Sequence, residues 1–384
     1  MTVEFRMGHQ DHNKVEDFLS RKSAGVGAIA MHSSAARHQI AAAEAAREAG
    51  VDVLYDPRTE RLSQGGYGLE KIPGYLPTPY DLETLARSHD DRAVLVDAVL
   101  TAHPEVTTLI TPPSFFTDCE STALLNLALA ETARLGSDKP VRPTITLSTR
   151  LGINLVRQIA REYSAARFEQ IDVRFSPLGG ENDGLRKIKA AFKALRAFKE
   201  QGLEVTLGQS GNIGQAAVAL GHADHYSVGI GQWESVNHAQ TIQRQSKPPK
   251  LDSEGKRIGG AWEGVYLPGL AMTVSKKVGE ALLGHSDVRT RVGCRVDGCA
   301  TSIKGPLSEH RTHYLHSRAA EMENLMLQPP TWRAKSEMDR ITRAIELRQL
   351  INRKYRSPQV PELKTRTLES LLGEGEAERA VAVA

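Results

Sequence analysis

Short apolar runs alternate with amphipathic segments along the first two thirds of the chain. This alternation is typical of repeated βα units. The apolar runs predict seven strands, at 26–31, 51–55, 107–111, 144–148, 170–175, 205–208 and 226–229. With an eighth strand near Val265 or Met272, the count is that of an α/β protein of the (β/α)₈ TIM-barrel type. A doubly wound parallel sheet is the alternative.

Amphipathic segments between the strands predict helices that cover the sheet. From Asp183 to Gln201, apolar residues recur at spacings of three and four, and Gly202 provides a stop. The Ala-rich segment from Ala35 to Glu48 ends at Gly50 in the same way. These helices support the barrel interpretation.

The chain divides into three predicted parts. Residues 1–280 form the barrel, with irregular insertions near 61–80 and 244–260 that are rich in glycine, proline and polar residues. Residues 281–372 form a zinc-binding and helical C-terminal segment. Residues 373–384 are predicted to be a disordered tail.

Composition narrows the class of protein. Of 384 residues, 40% are hydrophobic and 25% charged, which are ordinary globular values that do not favour disorder. The three cysteines give no disulfide framework and suit a reducing compartment. No apolar stretch approaches the ~18 residues of a membrane span, so we expect a cytoplasmic protein with no membrane partner.

The charge is unevenly distributed although the net value is only +3. The basic excess lies in residues 241–384, including the runs at 333–335 and 353–356. A polyanion such as nucleic acid could dock on such a surface. A solvated, arginine-rich helix face is the competing interpretation.

A cysteine pair with nearby histidines predicts a zinc site. Cys294 and Cys299 are separated by four residues, and His313 and His316 follow in a histidine-rich run. Thiolate sulfur and imidazole nitrogen are the donors that close a tetrahedron around Zn²⁺. Alternatively, the cysteines are small buried side chains and the histidines face solvent.

Catalytic residues of a βα barrel lie at the carboxyl ends of the strands. Among the polar residues near these ends, Asp56, Glu181, Asp224 and Glu234 are the carboxylates able to act as nucleophile or general acid/base. Each, taken alone, is also consistent with a hydrogen-bonded structural role.

The glycine-rich span from Val205 to Gly231 indicates a binding function. A strand ending in glycines, a short helix and a second strand ending in Gly-x-Gly can expose backbone N–H groups to a ligand. Phosphate, flavin phosphate and purine all fit this pattern.

Taken together, these segments resemble the tRNA-guanine transglycosylase superfamily, over roughly residues 170–325. Cys294 and Cys299 match the first and third positions of the family's Cys-x-Cys-x-x-Cys zinc motif, and residues 311–322 are similar to its Tyr-Leu-His helix. The stretch Leu178–Glu181 resembles the Gly-Gly-Leu loop that reads the base. The resemblance implies Zn²⁺ as cofactor, held by Cys294, Cys299 and His313 or His316.

The resemblance further implies exchange of guanine in nucleic acid for a 7-deazaguanine through a covalent glycosyl-enzyme. Gly179, Gly180, Glu181, Gly208 and Gln209 would contact the base. The family's nucleophilic aspartate falls on Ser227 and its Asp-Ser-Gly-Gly-Phe signature is absent. The catalytic candidates are therefore Asp56, Asp224 and Glu234.

These departures from the tRNA-acting signature favour DNA over tRNA as the polymer, and homodimerisation is expected from the resemblance. Two other functions fit the sequence. One is a phosphate- or flavin-binding barrel enzyme that acts on a small metabolite, and the other is a catalytically inactive barrel that binds nucleic acid.

Overall fold

The structure of the protein is a computed structural model that describes residues 1–21, 24–231, 234–249, 252–253, 264–292, 294, 299 and 305–383. The strands are β1 (Thr2–Arg6), β2 (Val26–His32), β3 (Asp52–Asp56), β4 (Thr144–Ser148), β5 (Gln170–Ser176), β6 (Glu204–Leu207), β7 (His225–Gly229), β8 (Gly264–Leu267) and β9 (Met272–Ser275). The helices are α1 (His12–Ser20), α2 (Ile40–Glu48), α3 (Leu82–Arg87), α4 (His89–Ala102), α5 (Glu120–Leu135), α6 (Ile153–Ala165), α7 (Leu185–Lys199), α8 (Gly211–Ala219), α9 (His238–Gln245), α10 (Lys276–Gly284), α11 (Ser286–Val292), α12 (Gly305–Ser308), α13 (His310–Leu327), α14 (Pro330–Lys354) and α15 (Arg366–Val383). Short 3₁₀ helices lie at Ala36–His38, Thr59–Ser63 and Pro268–Leu270.

A seven-stranded parallel sheet carries the mixed α/β fold. Its order is β3-β2-β1-β7-β6-β5-β4, so strands adjacent in sequence are adjacent in space except for β3 and β4, and the first strand pairs with the seventh. This cyclic order curls the sheet and brings its edges β3 and β4 towards each other.

Residues 107–111 lie between those two edges. The Thr108 amide donates to the carbonyl of Val53 in β3, and the Ile110 carbonyl accepts from the amide of Arg142, just before β4. The prediction of a strand at 107–111 is met only by an isolated parallel bridge between Ile110 and Val141. The segment nevertheless links both edges of the sheet.

The predicted eighth strand was placed wrongly. Val265 and Met272 lie in an antiparallel hairpin of β8 and β9, separate from the parallel sheet. The strand of the parallel sheet that was not predicted is β1. It was not recognised because its N-terminal segment is rich in polar residues. Val3 and Phe5 are buried in the main core, whereas Glu4 and Arg6 alternate onto the opposite face of the strand.

That opposite face carries buried ion pairs instead of an apolar layer. Arg142 contacts Glu4 at 2.9 Å, and Arg174 contacts Asp172 at 2.9 Å. Arg6 lies 3.5 Å from the same Asp172. Removing one member of a buried pair leaves an uncompensated charge, so these contacts strongly constrain how the strands pack.

The C-terminal helices pack against the sheet. Tyr314 and Ala319 of α13, Ile341 of α14 and Leu371 of α15 belong to the same buried core as the strands. Residues 373–383, which were predicted to belong to a disordered tail, continue α15, in which Glu374 is buried and lies 3.6 Å from Lys189 on α7. Within the described ranges, no helix is both long enough and apolar enough to cross a lipid bilayer.

Candidate active site and metal centre

A pocket of about 470 Å³ opens at the carboxyl ends of the parallel strands. Arg6, His32 and Asp56 reach it from the ends of β1, β2 and β3, and Arg174 reaches it from within β5. Its outer wall comes from the 3₁₀ helix after β3 and from residues 235–245, which include α9. The position agrees with the expectation that a βα barrel works at this edge.

Asp56 is the predicted catalytic residue that the structure places in the pocket. Its carboxylate accepts a hydrogen bond from Arg6 and lies 3.9 Å from Arg174. Burial acts to raise the pKa of Asp56, but the charges of Arg6, Arg174 and Arg58 outweigh it and lower the pKa well below the usual range. Asp56 is therefore an ionised group at neutral pH and not a proton donor.

Three further arginines give the pocket a positive charge. Arg58, Arg61 and Arg244 line it together with a second carboxylate, Glu60. Arg58 donates to His32 Nε2 at 2.7 Å, and Arg61 donates to Gln245 Oε1 at 3.0 Å. Among the residues that the structure describes, none of these three arginines is in an ion pair, so their charges are available to an anionic ligand.

His32 is held as a neutral imidazole. Burial, followed by the charge of Arg58, lowers its pKa to about 3. Arg58 donates to Nε2, and Nδ1 accepts from the Ser34 amide at 3.2 Å and lies 2.9 Å from the Ser34 hydroxyl oxygen. A neutral ring beside so many cations can act only as a weak base.

Two residues of the pocket have left-handed backbone conformations. Arg58 has φ of 61° and Gln209 has φ of 47°, and neither is a glycine. Such conformations cost energy and tend to cluster at binding sites and active sites. The Gln209 amide donates to the Ser227 hydroxyl at 3.0 Å, which helps to hold Gln209 in this conformation.

The outer wall of the pocket is tied to the insertion after β3. The Gln245 side-chain amide donates to the carbonyls of Arg61 and Gln64, each at 2.9 Å, and the Tyr67 amide donates to the Gln245 carbonyl at 2.9 Å. Gly66 packs so closely that a Cβ there would lie 2.3 Å from Gln245 Cγ. The predicted insertion at 61–80 thus forms part of the site, whereas most of the one at 244–260 lies outside the described residues.

The other two predicted catalytic carboxylates do not line the pocket. Asp224 precedes β7, at the amino end of the sheet, where it pairs with Lys199 at 2.5 Å and accepts from the Val205 amide. Glu234 is held by Tyr314 and by Arg318, the latter at 2.5 Å. Both residues are therefore committed to structural contacts.

The predicted base-reading loop is also engaged in internal contacts. The amides of Gly179 and Gly180 donate to Asp183 Oδ2 at 2.8 and 2.9 Å. A Cβ at Gly179, whose φ is 108°, would lie 2.3 Å from the Glu234 carbonyl oxygen. Glu181 contacts Arg348 at 2.6 Å and does not line the pocket.

Close packing explains the glycines after β6. A Cβ at Gly208 would lie 2.4 Å from Asp172 Oδ1, and one at Gly211 would lie 3.1 Å from the Cβ of Glu234. The first turn of α8 is buried beneath that glutamate. Of this stretch, Gln209 alone reaches the pocket, because its neighbours are covered by the protein itself.

Cys294, Cys299, His313 and His316 form a second centre, apart from the pocket. Their four potential ligand atoms all lie within 4.8 Å of one another. Cys294 Sγ is 3.4 Å from His316 Nε2, and Cys299 Sγ is 3.3 Å from His313 Nδ1. These separations suit ligands that surround one metal ion.

The surroundings of this cluster also fit a metal. His313 Nε2 lies 2.6 Å from the Tyr266 carbonyl oxygen, which fixes the ring and leaves Nδ1 as the donor. The neighbouring Cys294 thiol, followed by burial, raises the pKa of Cys299. Two adjacent thiolates repel each other, and a bound cation would relieve that repulsion.

Sequence reasoning missed the arginines that dominate the pocket. Arg6 ends a strand that was not predicted, and Arg174 sits inside a strand as an inward-facing residue. The sequence feature that could have identified these arginines is the alternation of charged and apolar residues in β1 and β5, which is unusual for buried strands.

No protein-family model matches the chain, and no curated protein matches it. Among solved structures, it is similar to a mandelate oxidase mutant with a monooxide FMN adduct, at 15% sequence identity. The alignment covers 63% of this chain and 70% of that one, with a TM-score of 0.30. At this level of similarity, the match carries no information about ligand or reaction.

Proposed function

We propose that the protein is an enzyme of a (β/α)₈-barrel type that binds a small phosphorylated metabolite at the carboxyl ends of its strands. The observation that carries the proposal is the set of five arginines around one ionised carboxylate, Asp56, in a 470 Å³ pocket. This volume suits a small molecule. Arginine is the side chain best matched to phosphate oxygens. Residues 107–111 would complete the barrel as its eighth, irregular strand.

The residues of the pocket have distinct roles in this proposal. Arg58, Arg61 and Arg244 bind the phosphate. Asp56, at the base of the pocket between Arg6 and Arg174, orients a hydroxyl or amine of the ligand by accepting its hydrogen bond. The wall formed by residues 235–245 limits access of water. Because the glycines after β6 are covered internally, phosphate recognition rests on side chains instead of backbone N–H groups.

Calorimetry with inorganic phosphate, pyrophosphate, a nucleoside monophosphate and FMN tests this proposal. We expect binding that weakens with salt and falls about tenfold in Arg58→Ala and in Arg61→Ala, since each loses a charge-assisted hydrogen bond. Arg47→Ala on α2, outside the pocket, is the matched control. Absence of binding by all four probes would refute the proposal, and a yellow purified protein would identify flavin as the ligand.

A second candidate is the base exchange implied by the resemblance to tRNA-guanine transglycosylases. The Cys/His cluster favours it, because the cluster is assembled from the residues that match the family's zinc motif. Asp56 and Glu60 would then supply the two carboxylates of a covalent glycosyl transfer, with DNA or tRNA as polymer and guanine or a 7-deazaguanine as incoming base.

Incorporation of labelled guanine or 7-deazaguanine into duplex DNA and bulk tRNA tests the second candidate. Exchange that is lost in Asp56→Ala and in Glu60→Ala but kept in Asp224→Ala would establish it. Salt-dependent nucleic-acid binding without exchange would instead indicate an inactive binding barrel. No binding of either polymer would exclude both nucleic-acid functions.

We also propose that the Cys/His cluster holds Zn²⁺ with a structural role. Two thiolates and two imidazoles form a closed tetrahedral donor set with no position left for substrate. The metal would join the loop at 294–299 to α13. Metal analysis of the purified protein should give one zinc per chain, and a chain without metal would contradict the assignment.

A further inference from the structure

The outer wall of the pocket begins immediately after Glu234. Residues 235–245 supply eight of the residues that line the pocket. At the start of this wall, Val236 and Leu178 exchange backbone hydrogen bonds of 2.8 and 3.0 Å, and the His238 amide donates to the Ser176 hydroxyl. At its far end, Gln245 is tied to residues 61–67. The wall is therefore a strap fixed at both ends.

Glu234 connects the start of this strap to α13. Its carboxylate accepts from the Tyr314 hydroxyl and from the Arg318 guanidinium, at 2.5 Å in the latter case. Arg318 is fully buried and lies over the Tyr266 ring, 4.1 Å from its centroid. A carboxylate bound to a buried arginine and a tyrosine has little freedom to move.

The helix that binds Glu234, α13, also carries the histidines of the proposed metal site. His313 precedes Tyr314, and His316 lies two residues before Arg318. His313 is in turn fixed to the carbonyl of Tyr266, the residue on which Arg318 stacks. The metal centre and the strap therefore share one rigid set of contacts along two turns of α13.

We infer that Glu234 is a positioning residue through which the metal-loaded α13 holds the strap of residues 235–245 over the pocket. Removal of the metal loosens α13 near His313, releases Glu234 and opens the strap. The predicted effect on ligand affinity rests on the proposed phosphate binding, and the predicted effect of metal removal rests on the proposed zinc site, whereas the predicted effect of Glu234→Gln on the mobility of the strap rests on neither.

Hydrogen–deuterium exchange of peptides covering residues 235–245 tests the inference. Glu234→Gln should raise amide exchange there about tenfold, because it removes a charge-assisted interaction, with metal content unchanged. Tyr314→Phe should give a smaller rise. Glu321→Gln is the matched control, because Glu321 contacts the same Arg318 at 3.3 Å but does not contact the strap. It should leave the exchange unchanged.

Chelation of the metal provides the second arm. It should raise exchange of the strap in the wild-type protein and add little in Glu234→Gln, since both changes break the same connection. Unchanged exchange in Glu234→Gln, or after confirmed metal loss, would overturn the inference. Phosphate affinity should fall in parallel with strap exchange. Failure of every variant to bind phosphate, with the exchange pattern intact, would refute the proposed function alone.

Discussion

Replacement of Asp56 by asparagine should change stability and anion affinity in opposite directions. Asp56 and Asp172 together neutralise Arg6 and Arg174, whose side chains are only 7% and 6% exposed. Asp56→Asn leaves one buried positive charge uncompensated. A break of this kind in a buried ion pair costs about 3–5 kcal/mol of unfolding free energy.

The same substitution removes one of the two negative charges that line the proposed phosphate pocket. At a separation of about 6 Å and an effective dielectric constant of about 20, two unit charges repel by roughly 3 kcal/mol before screening. Allowing for salt, we expect phosphate to bind about tenfold more tightly to Asp56→Asn than to the wild type. Phosphate should therefore raise the stability of the variant more than that of the wild type.

The stability difference should also depend on pH. The pKa of Asp56 is lower in the folded protein than in the unfolded chain, where it is about 3.9. Its stabilising contribution is therefore fully present above that value and is lost as the pH falls through the folded-state pKa. The wild type and Asp56→Asn should converge in stability under acid conditions.

Urea unfolding at pH 7, with and without phosphate, measures these effects. Asp224→Asn is the matched control, because it breaks a partly exposed pair with Lys199 at the other end of the sheet. It should cost at most about 1 kcal/mol and leave phosphate binding unchanged. An Asp56→Asn protein as stable as the wild type, or one with weaker phosphate binding, would refute the electrostatic reasoning.

Three further predictions concern other parts of the structure. Gly66→Ala should lower phosphate affinity severalfold, because the new Cβ would displace Gln245. Gly65→Ala is the control and should bind phosphate as the wild type does. Equal affinities of the two variants would argue against the link between the insertion and α9. Cys294→Ser should lose the metal and unfold more readily, whereas the control Cys119→Ser should be unaffected. Metal retained in both variants would contradict the proposed zinc site. The pKa of His103 is lowered to about 4, mainly by burial. Between pH 6.5 and 4, His103 is protonated in the unfolded chain but not in the folded protein, so stability should fall by about 3 kcal/mol through that range, about 2 kcal/mol of it by pH 5. His103→Gln should reduce this fall, as measured by urea unfolding at pH 7 and pH 5, and an unchanged pH dependence would contradict the assignment.

The part of the fold that follows from local pattern was predictable. Six of the parallel strands are where apolar runs predict them, because outward-facing residues of each strand must be buried against helices. The strand Thr2–Arg6 was missed because two of its five residues are charged, and their burial is possible only where partners from other strands neutralise them. No local pattern contains those partners.

The candidate site likewise has features that follow from local sequence and features that depend on tertiary contacts. Two features of the site follow from short spacings along the chain: Asp56 ends a strand, and two cysteines lie near two histidines. Three other features required the folded chain: Arg6 and Arg174 surround Asp56, Asp224 lies at the opposite end of the sheet, and Glu234 binds to α13. These outcomes depend on strand register and on contacts between residues tens to hundreds of positions apart, where charge compensation and packing determine which groups meet.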